Sequence, residues 1–287
     1  MNIWQKILLG FAVLLLGMVI GVQINRVRLN RLNEGLVADL LGASTPTGSV
    51  FDPSMLADLP APVQRYLANA LPEGQPLPST ARLTQQGEIR LGDAASEFIP
   101  FSAVQHMTTT PAGFVWDADM QMMPLMGVNV VDAFIGGEGL LRARLLSTFA
   151  VADAEPGLML NEGELIRYLA EAVWMPSALL PSNGVAWEAV DDLHARASLT
   201  HEDITVSLLF TFNAEDEIIQ VYSEGRGRDV NGEYILTPWT GRFWNYQTLN
   251  GMWIPTEGEV EWNLPEGDLL YWRGMIDTAE FDPSALD

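Results

Sequence analysis

The sequence predicts an α+β fold that is mostly β: a large curved antiparallel sheet, half-barrel-like, with one or two helices against its inner face and an N-terminal transmembrane helix. Residues 7–24 are apolar except for one glutamine, which indicates the membrane helix. Beyond residue 80, side chains mostly alternate between apolar and polar, which indicates half-buried strands. Roughly ten or eleven such segments occur, and a sheet of that size must curl, close or be covered.

The apolar run from Ile7 to Ile24 is long enough to cross a bilayer as a helix, and Trp4 before it suits the membrane interface. A cleaved signal peptide would have a shorter apolar core and small residues at its cleavage site, whereas residues 23–26 read Gln-Ile-Asn-Arg. We therefore expect an uncleaved anchor. The predicted organisation is a transmembrane helix with its extension (1–41), a small-residue linker (42–57) and one β-rich domain (58–287).

Two arguments about membrane topology oppose each other. Arg26, Arg28 and Arg31 follow the span and Lys6 precedes it, so the positive-inside rule favours a cytoplasmic domain. A span so close to the N-terminus suits an export signal instead. We expect a single-pass protein of the cell inner membrane. Of the two topologies, we favour the one with the domain on the extracytoplasmic side.

Composition excludes several classes of function. The chain has 15 basic and 37 acidic residues, a net charge of −22, and an acidic surface repels the phosphates of nucleic acids. It has no cysteine, which excludes disulfides, thiolate metal sites, cysteine nucleophiles and a lipidated cysteine. The histidines His106, His194 and His201 lack metal-binding spacing, and no nucleotide or hydrolase motif occurs. We expect neither a metal nor a cofactor.

Strands follow from the period of the apolar residues. Residues 114–120 carry Phe, Trp, Ala and Met at every second position, and residues 141–149 read as another single strand of this kind. Asn231-Gly232 and Asn250-Gly251 indicate hairpin turns. Short connections favour sequential antiparallel pairing, so the last third of the chain is predicted to be a meander.

Two short helices are predicted beside the sheet. Pro60–Leu71 is amphipathic and precedes the first strand. Asn161 and Glu164 indicate a capping box at the start of a second helix, which Pro176 ends. The simplest arrangement places both helices against the inner face of the curved sheet.

Several sequence blocks are spread over the predicted domain. They are Pro100-Phe101-x-Ala103, Gly113-Phe114-Val115-Trp116-Asp117-Ala118, Arg167-Tyr168-Leu169-Ala170-Glu171-Ala172, Trp174-Met175-Pro176, Ala178-Leu179-Leu180-Pro181, Pro238-Trp239-x-Gly241-x-Phe243-x-x-Tyr246, Ile254-Pro255, Gly258-Glu259-Val260, Trp262-x-Leu264-Pro265 and Tyr271-Trp272-Arg273-Gly274. With these blocks the chain resembles, over roughly residues 58–277, a bacterial family of unknown function that often carries an N-terminal membrane segment. The resemblance implies no activity. The predicted architecture is also similar to the half-barrel of periplasmic lipoprotein carriers, which bind acyl chains in a groove, and this likeness is one of fold alone.

A curved sheet of this kind predicts an apolar groove or cavity with aromatic walls. Methionine and tryptophan side chains would line it, and clustered arginines could grip a carboxylate or phosphate head group. The candidate ligand-binding residues are Trp116, Met120, Arg226, Arg228, Trp239, Phe243, Trp262 and Trp272. The same side chains could instead fill the core or pair with the many acids, and this alternative stays open.

These features favour a membrane-anchored binding module for an apolar or lipid-like ligand in the cell envelope. Two alternatives stay open. A hydrolase-type enzyme would use Asp117 or Asp191 with Arg226 or Arg228, and it needs these side chains in one cleft. A structural assembly protein of the envelope would present a flat apolar surface patch instead of a pocket.

Overall fold

The computed structural model describes residues 2–46, 48–123 and 126–283. In these ranges the α-helices are α1 (Ile3–Ala43), α2 (Ala61–Ala70) and α3 (Leu158–Glu171), and short 3-10 helices span Pro53–Leu56, Ala172–Trp174, Pro176–Leu179 and Pro181–Asn183. The strands are β1 (Thr80–Arg90), β2 (Phe98–Thr108), β3 (Gly113–Met123), β4 (Met126–Ile135), β5 (Glu138–Leu145), β6 (Phe149–Ala154), β7 (Val185–Ala189), β8 (His194–His201), β9 (Ile204–Phe212), β10 (Ile218–Val230), β11 (Glu233–Leu249), β12 (Met252–Trp262) and β13 (Leu269–Phe281).

The strands form one antiparallel sheet in the order β6-β5-β4-β3-β2-β1-β13-β12-β11-β10-β9-β8-β7. It consists of two meanders, β1–β6 (the first meander) and β7–β13 (the second meander), joined where β1 pairs with β13. The predicted fold class is confirmed: a large curved antiparallel sheet with helices and a long apolar N-terminal helix. The connection between the meanders carries α3 and the short helices of residues 172–183.

The strand count differs from the prediction at both edges of the sheet. The single strand predicted for residues 141–149 is wrong, because the chain turns between β5 and β6. Leu146 and Ser147 adopt positive φ angles of 50° and 55° there. The edge strands β6 and β7 are only 6 and 5 residues long and largely exposed, so their alternation carries little signal in the sequence.

The sheet curls until its two ends approach each other. The rings of Phe134 in β4 and His201 in β8 have centroids 5.4 Å apart, although these strands are third and twelfth in the sheet order. Helix α3 contacts β3, β4 and β5 on one side and β9 and β10 on the other. It therefore bridges the two meanders across the concave face.

The concave face holds the main core. Helix α2, helix α3 and residues 172–183 pack onto it, with fully buried side chains such as Tyr66, Leu67 and Leu169. Phe51, which precedes the first short helix, belongs to the same core and is 2% exposed. The inner face of the sheet is therefore covered largely by the protein's own helices.

Helix α1 lies on the opposite, outer face. Its last turns pack through Val37 and Leu40 against Val115 and Val131. A Cβ atom at Gly113 would lie 2.7 Å from Leu40 Cδ1, so this glycine permits the close approach of α1. The N-terminal half of α1 is exposed and is long and apolar enough to cross a membrane, judged by length and composition.

Helix α3 begins four residues earlier than the capping box predicts. Its N-cap is Gly157, which makes no side-chain cap hydrogen bond. The side-chain oxygen of Asn161 instead accepts a hydrogen bond from the Gly139 backbone N–H at 2.9 Å. The predicted capping box is wrong because Asn161 is used to fasten α3 to β5.

Candidate functional site

Two adjoining clefts separate residues 22–34 of α1 from the strands beside them. The polar cleft, of about 470 Å³, has Asn30 and Asn33 of α1 on one side and Asp117 of β3 on the other. The lower cleft, of about 570 Å³, lies nearer the N-terminal part of α1 and is lined by Val22, Phe101, Met120 and Leu146 among others. The clefts share four lining residues, Arg26, Ser102, Asp119 and Asn129.

The polar cleft is rich in carboxylates. Asp117, Asp119, Asp277 and Glu34 line it, against one cation, Arg26. Arg26 Nη2 lies 3.6 Å from Asp119 Oδ2. Carboxylates and amides in this excess favour a ligand group that donates hydrogen bonds or carries positive charge.

The pKa of Asp117 in the polar cleft lies above its ordinary value. Burial raises the pKa of Asp117, a hydrogen bond with Asn33 opposes that effect, and the neighbouring charge of Asp119 raises the pKa further. An entering cation would reverse the last effect, because an opposite charge favours the ionised form. A cation in the cleft would therefore lower the pKa of Asp117.

Polar contacts fasten α1 beside the lower cleft. Asn25 Nδ2 donates a hydrogen bond to Thr148 Oγ1 in the β5–β6 turn at 3.1 Å. Ser147 Oγ donates to Asn129 Oδ1 at 2.5 Å, and the Asn129 amide donates to Asp119. These contacts place the end of β3, the beginning of β4 and the end of β5 level with residues 25 and 26 of α1. We call this the lower end of these strands.

A second polar cluster lies buried under α3 on the concave face. Arg167 Nη1 lies 2.5 Å from Asp132 Oδ2 of β4, and Arg167 Nε lies 2.8 Å from Glu171 Oε1. Arg226 of β10 donates to the Gly163 carbonyl oxygen at 3.0 Å. Charged groups therefore hold α3 to both meanders.

Aromatic and amide side chains complete this cluster. The guanidinium carbon of Arg167 lies 5.3 Å from the Trp116 ring centroid, and that of Arg226 lies 5.3 Å from the Trp239 ring centroid. Trp116 Nε1 donates to Gln85 Oε1 at 2.8 Å, and Trp239 Nε1 donates to Tyr271 Oη at 2.9 Å. Most of the polar atoms are satisfied within the protein itself.

The cluster under α3 contains three carboxyl groups and two guanidinium groups. Burial, together with the nearby charge of Asp132, raises the pKa of Glu164 to about 8, and the charge of Arg226 opposes the rise. This rise favours the protonated form of Glu164. Its Oε2 atom and Asp132 Oδ1 have no hydrogen-bond partner within the described part of the chain.

The structure brings together part of the predicted ligand-binding set. Trp116, Arg226, Trp239 and Trp262 surround the cluster under α3, where Arg226 also lies 5.7 Å from the Trp262 ring centroid. Arg228 lies further along β10, half-buried and opposite Ile235. These arginines and rings contact the protein's own helix and sheet.

Of the rest of the predicted set, Phe243 and Trp272 lie elsewhere on the concave face. The ring of Trp174, which follows α3, has its centroid 6.0 Å from that of Phe243 and 6.2 Å from that of Trp272. Met120 is 3% exposed and is the predicted residue that lines the lower cleft. Phe243 and Trp272 are thus covered by residue 174.

The side chains of the predicted hydrolase do not meet. Asp117 points to α1 on the outer face, whereas Arg226 contacts α3 on the inner face. Asp191 lies in the β7–β8 turn, where its Oδ1 is 2.7 Å from His194 Nδ1. Within residues 2–46, 48–123 and 126–283, no three His, Asp or Glu side chains are grouped to hold a metal ion.

Sequence reasoning missed the α1 side of the clefts. Arg26, Asn30, Asn33, Val37 and Leu40 recur every three or four residues, which places them on one face of a helix. The change from polar to apolar along that face marks where α1 stops bordering a cleft and starts packing on the sheet. This signal was available in the sequence.

Comparison with known proteins gives one match in sequence. Residues 57–281 match a protein family described as a family of unknown function (DUF6920). No curated protein matches the chain.

Three solved structures are similar in fold. A LolA superfamily protein from Nitrosomonas europaea is 11% identical, with a TM-score of 0.40 over 78% of this chain and 93% of that one. A DUF1329 family protein from Desulfovibrio piger is 10% identical, with a TM-score of 0.36 over 73% and 88%. A β-barrel-like DUF1849 protein from Brucella abortus is 8% identical, with a TM-score of 0.23 over 71% and 98%. Scores of this size support no argument about function.

Proposed function

Because the chain belongs to the DUF6920 family, a family of unknown function, we propose its role from its own geometry. It is a membrane-anchored binding module of the cell envelope, and its ligand is amphiphilic and lipid-like. The observation that carries this proposal is the pair of adjoining clefts beside α1, one polar and acidic, the other partly apolar. Helix α1 is the anchor.

The two clefts match the two parts of an amphiphile. The polar cleft, with its carboxylates and amides, suits a head group that bears an amine or hydroxyls. The lower cleft, with Val22, Phe101 and Met120, suits the beginning of an aliphatic chain. Arg26 pairs with Asp119, and the polar cleft contains three further carboxylates, Glu34, Asp117 and Asp277. These three groups would repel an anionic head group.

Of the ligand-binding residues predicted from sequence, Met120 is the one that this proposal places directly on the ligand. The other seven, Trp116, Arg226, Arg228, Trp239, Phe243, Trp262 and Trp272, belong to the concave face. A ligand would reach Trp239 or Phe243 only if α3 or residues 172–183 moved away, since these segments now cover them. The concave wall is therefore the secondary part of the proposed binding surface.

We place the domain on the extracytoplasmic side of the inner membrane, where lipid-like envelope components are exposed to it. The test is a pair of fusions at the C-terminus, one to a reporter active only in the cytoplasm and one to a reporter active only outside it. Activity of the cytoplasmic reporter alone would refute this placement.

The binding proposal is tested with two fluorescent probes that share a dodecyl chain and a dye, one ending in an amine and the other in a sulfate. The protein is the full chain in lipid nanodiscs, and fluorescence anisotropy gives the affinity. We expect the amine probe to bind about tenfold more tightly, because the polar cleft carries excess negative charge. Equal binding of both probes, or none, would refute the proposed ligand class.

A pair of variants locates the binding. Asp119→Asn removes a carboxylate from both clefts, and we expect it to weaken amine-probe binding roughly threefold to tenfold. Asp58→Asn, which removes an exposed carboxylate beside the first short helix, is the matched control and should leave the affinity unchanged. The same loss in both variants would show that the probe responds only to net charge.

A further inference from the structure

The lower end of the first meander carries exposed apolar side chains. They lie in or beside the β1–β2 connection, the end of β3 and the start of β6: Leu91 (49% exposed), Met122 (46%), Met123 (53%), Phe149 (55%) and Val151 (60%). We call these five residues the apolar rim. At the opposite end of the same strands, the β4–β5 turn is formed by Gly136 and Gly137.

The position of α1 fixes the height of the rim relative to the membrane. The Asn25–Thr148 hydrogen bond and the Arg26–Asp119 ion pair hold the β5–β6 turn and the end of β3 against α1. The apolar run of α1 ends at Ile24, one residue before Asn25. With a rise of about 1.5 Å per residue, this contact lies within a few ångströms of the end of the apolar run.

We propose that the apolar rim is inserted into the surface of the membrane that α1 crosses, so that the lower cleft opens to the bilayer. The inference rests on the proposed function, because it takes α1 as the membrane anchor. The partner is the lipid surface itself. It would bury apolar side chains that otherwise face water, as interfacial segments of membrane proteins do.

Two arginines of α1 and the shape of the rim agree with a membrane as the partner. Arg28 and Arg31 lie exposed on α1 just beyond the contact with the β5–β6 turn, where they would meet anionic head groups. The rim follows strand ends and turns instead of a flat sheet face, which is unlike the surface expected of an assembly protein. A lipid entering the lower cleft would then not need to cross water.

The absence of cysteine allows a direct test with single-cysteine variants of the full chain. Met122→Cys and Phe149→Cys probe the rim, and Leu14→Cys probes the apolar half of α1. Val50→Cys is the matched control, since Val50 is an exposed apolar residue (48%) that pairs with Pro76 near the other end of β1. Each variant is labelled with an environment-sensitive dye and reconstituted in nanodiscs, with and without nitroxide-bearing lipids.

We expect nitroxide lipids to quench the dye about twofold or more at positions 14, 122 and 149, and to leave position 50 unchanged. Quenching at position 14 without quenching at 122 and 149 would overturn the rim insertion and leave the anchor standing. No quenching at position 14 would overturn the anchor and the rim together. Equal quenching at position 50 would show contact without a defined orientation and would also overturn the proposal.

Discussion

The two faces of strand β3 are covered by different helices, and the comparison explains where a ligand can bind. On the inner face, Trp116 is 3% exposed and packs under α3, whose Arg167 pairs with Asp132 of β4. On the outer face, Asp117 and Asp119 border α1 across clefts of about 470 and 570 Å³. One alternating strand thus supplies both a closed core and an open polar site.

The difference comes from what each helix presents to the sheet. Helix α3 is closely packed, since a Cβ atom at Gly139 would lie only 2.9 Å from Leu160 Cγ. Helix α1 packs closely only near its C-terminal end, through Val37 and Leu40, and presents Arg26, Asn30 and Asn33 to the sheet before that. Substitutions on the α3 side should therefore affect stability, and substitutions on the α1 side should affect binding.

The largest expected effect is the loss of Arg167. Arg167→Ala leaves Asp132 and Glu171, whose side chains are only 14% and 15% exposed, without their cation, and removing one partner of a buried pair costs ~3–5 kcal/mol. Thermal unfolding of the full chain in detergent, followed by circular dichroism, measures it. The matched control is Arg65→Ala, which breaks the more exposed Arg65–Asp216 pair and should cost about 1 kcal/mol or less. Equal losses in both variants would contradict a structural role for the cluster under α3.

A smaller effect is expected from a single methyl group between α3 and β5. In Gly139→Ala the new Cβ would lie 2.9 Å from Leu160 Cγ and 3.3 Å from the Leu160 carbonyl carbon, so α3 must shift. Overpacking of this kind costs ~1–3 kcal/mol. Gly127→Ala beside the lower cleft is the control, because its nearest atom, Met120 O, lies at 3.6 Å. If Gly127→Ala destabilises the protein as much, the two faces do not differ in packing as described.

The pH dependence of stability should report the proton on Glu164. Burial raises the pKa of Glu164 from its ordinary value of 4.5 to about 8. Below pH 4.5 both folded and unfolded states hold the proton, whereas between pH 4.5 and 8 the unfolded state loses it first. The contribution of this group to the free energy of unfolding therefore falls as pH rises through that window and levels off above pH 8.

Glu164→Gln keeps the shape of the neutral carboxyl group and cannot ionise. We expect its melting temperature to fall less than that of the wild type between pH 5 and about pH 8. Glu266→Gln, in the exposed β12–β13 turn, should keep the wild-type slope. A wild-type slope in Glu164→Gln would mean that this carboxyl group is already ionised at neutral pH.

Much of the fold could be predicted from the sequence, because one face of each long strand is buried and period two makes that visible. Strand β3 is the clearest case, with buried Trp116 and Ala118 alternating with Asp117 and Asp119. The β5–β6 turn could not be predicted, since Leu146 and Ser147 adopt positive φ without a glycine or asparagine to signal it. Tertiary contact also overrode the local signal at Asn161, which bonds to Gly139 instead of capping α3.

The candidate site was less predictable, because it depends on which helix covers which face. The aromatic residues were expected to line a groove, and their composition cannot distinguish a groove wall from a core filled by Trp174 and α3. The clefts arise from the placement of α1 on the sheet. This placement brings together residues about 90 positions apart in the chain, such as Arg26 and Asp119. The spacing of apolar residues and the composition of the chain do not show which distant residues come into contact.

The smallest effect on stability, and the sharpest test of the polar cleft, is expected from Arg26→Gln. The Arg26–Asp119 pair is 3.6 Å long with side chains 52% and 58% exposed, so its loss should change the free energy of unfolding by about 0.5 kcal/mol or less. Removing this cation leaves the carboxylates of the polar cleft uncompensated. Affinity for the dodecylamine probe should therefore rise roughly twofold to fivefold, and the gain should shrink as salt is added.

Arg65→Gln removes a cation from a distant pair and should not change the affinity. A gain of the same size in Arg65→Gln would assign the effect to the net charge of the protein, and weaker binding in Arg26→Gln would place the probe on Arg26 itself and reverse the proposed head-group chemistry.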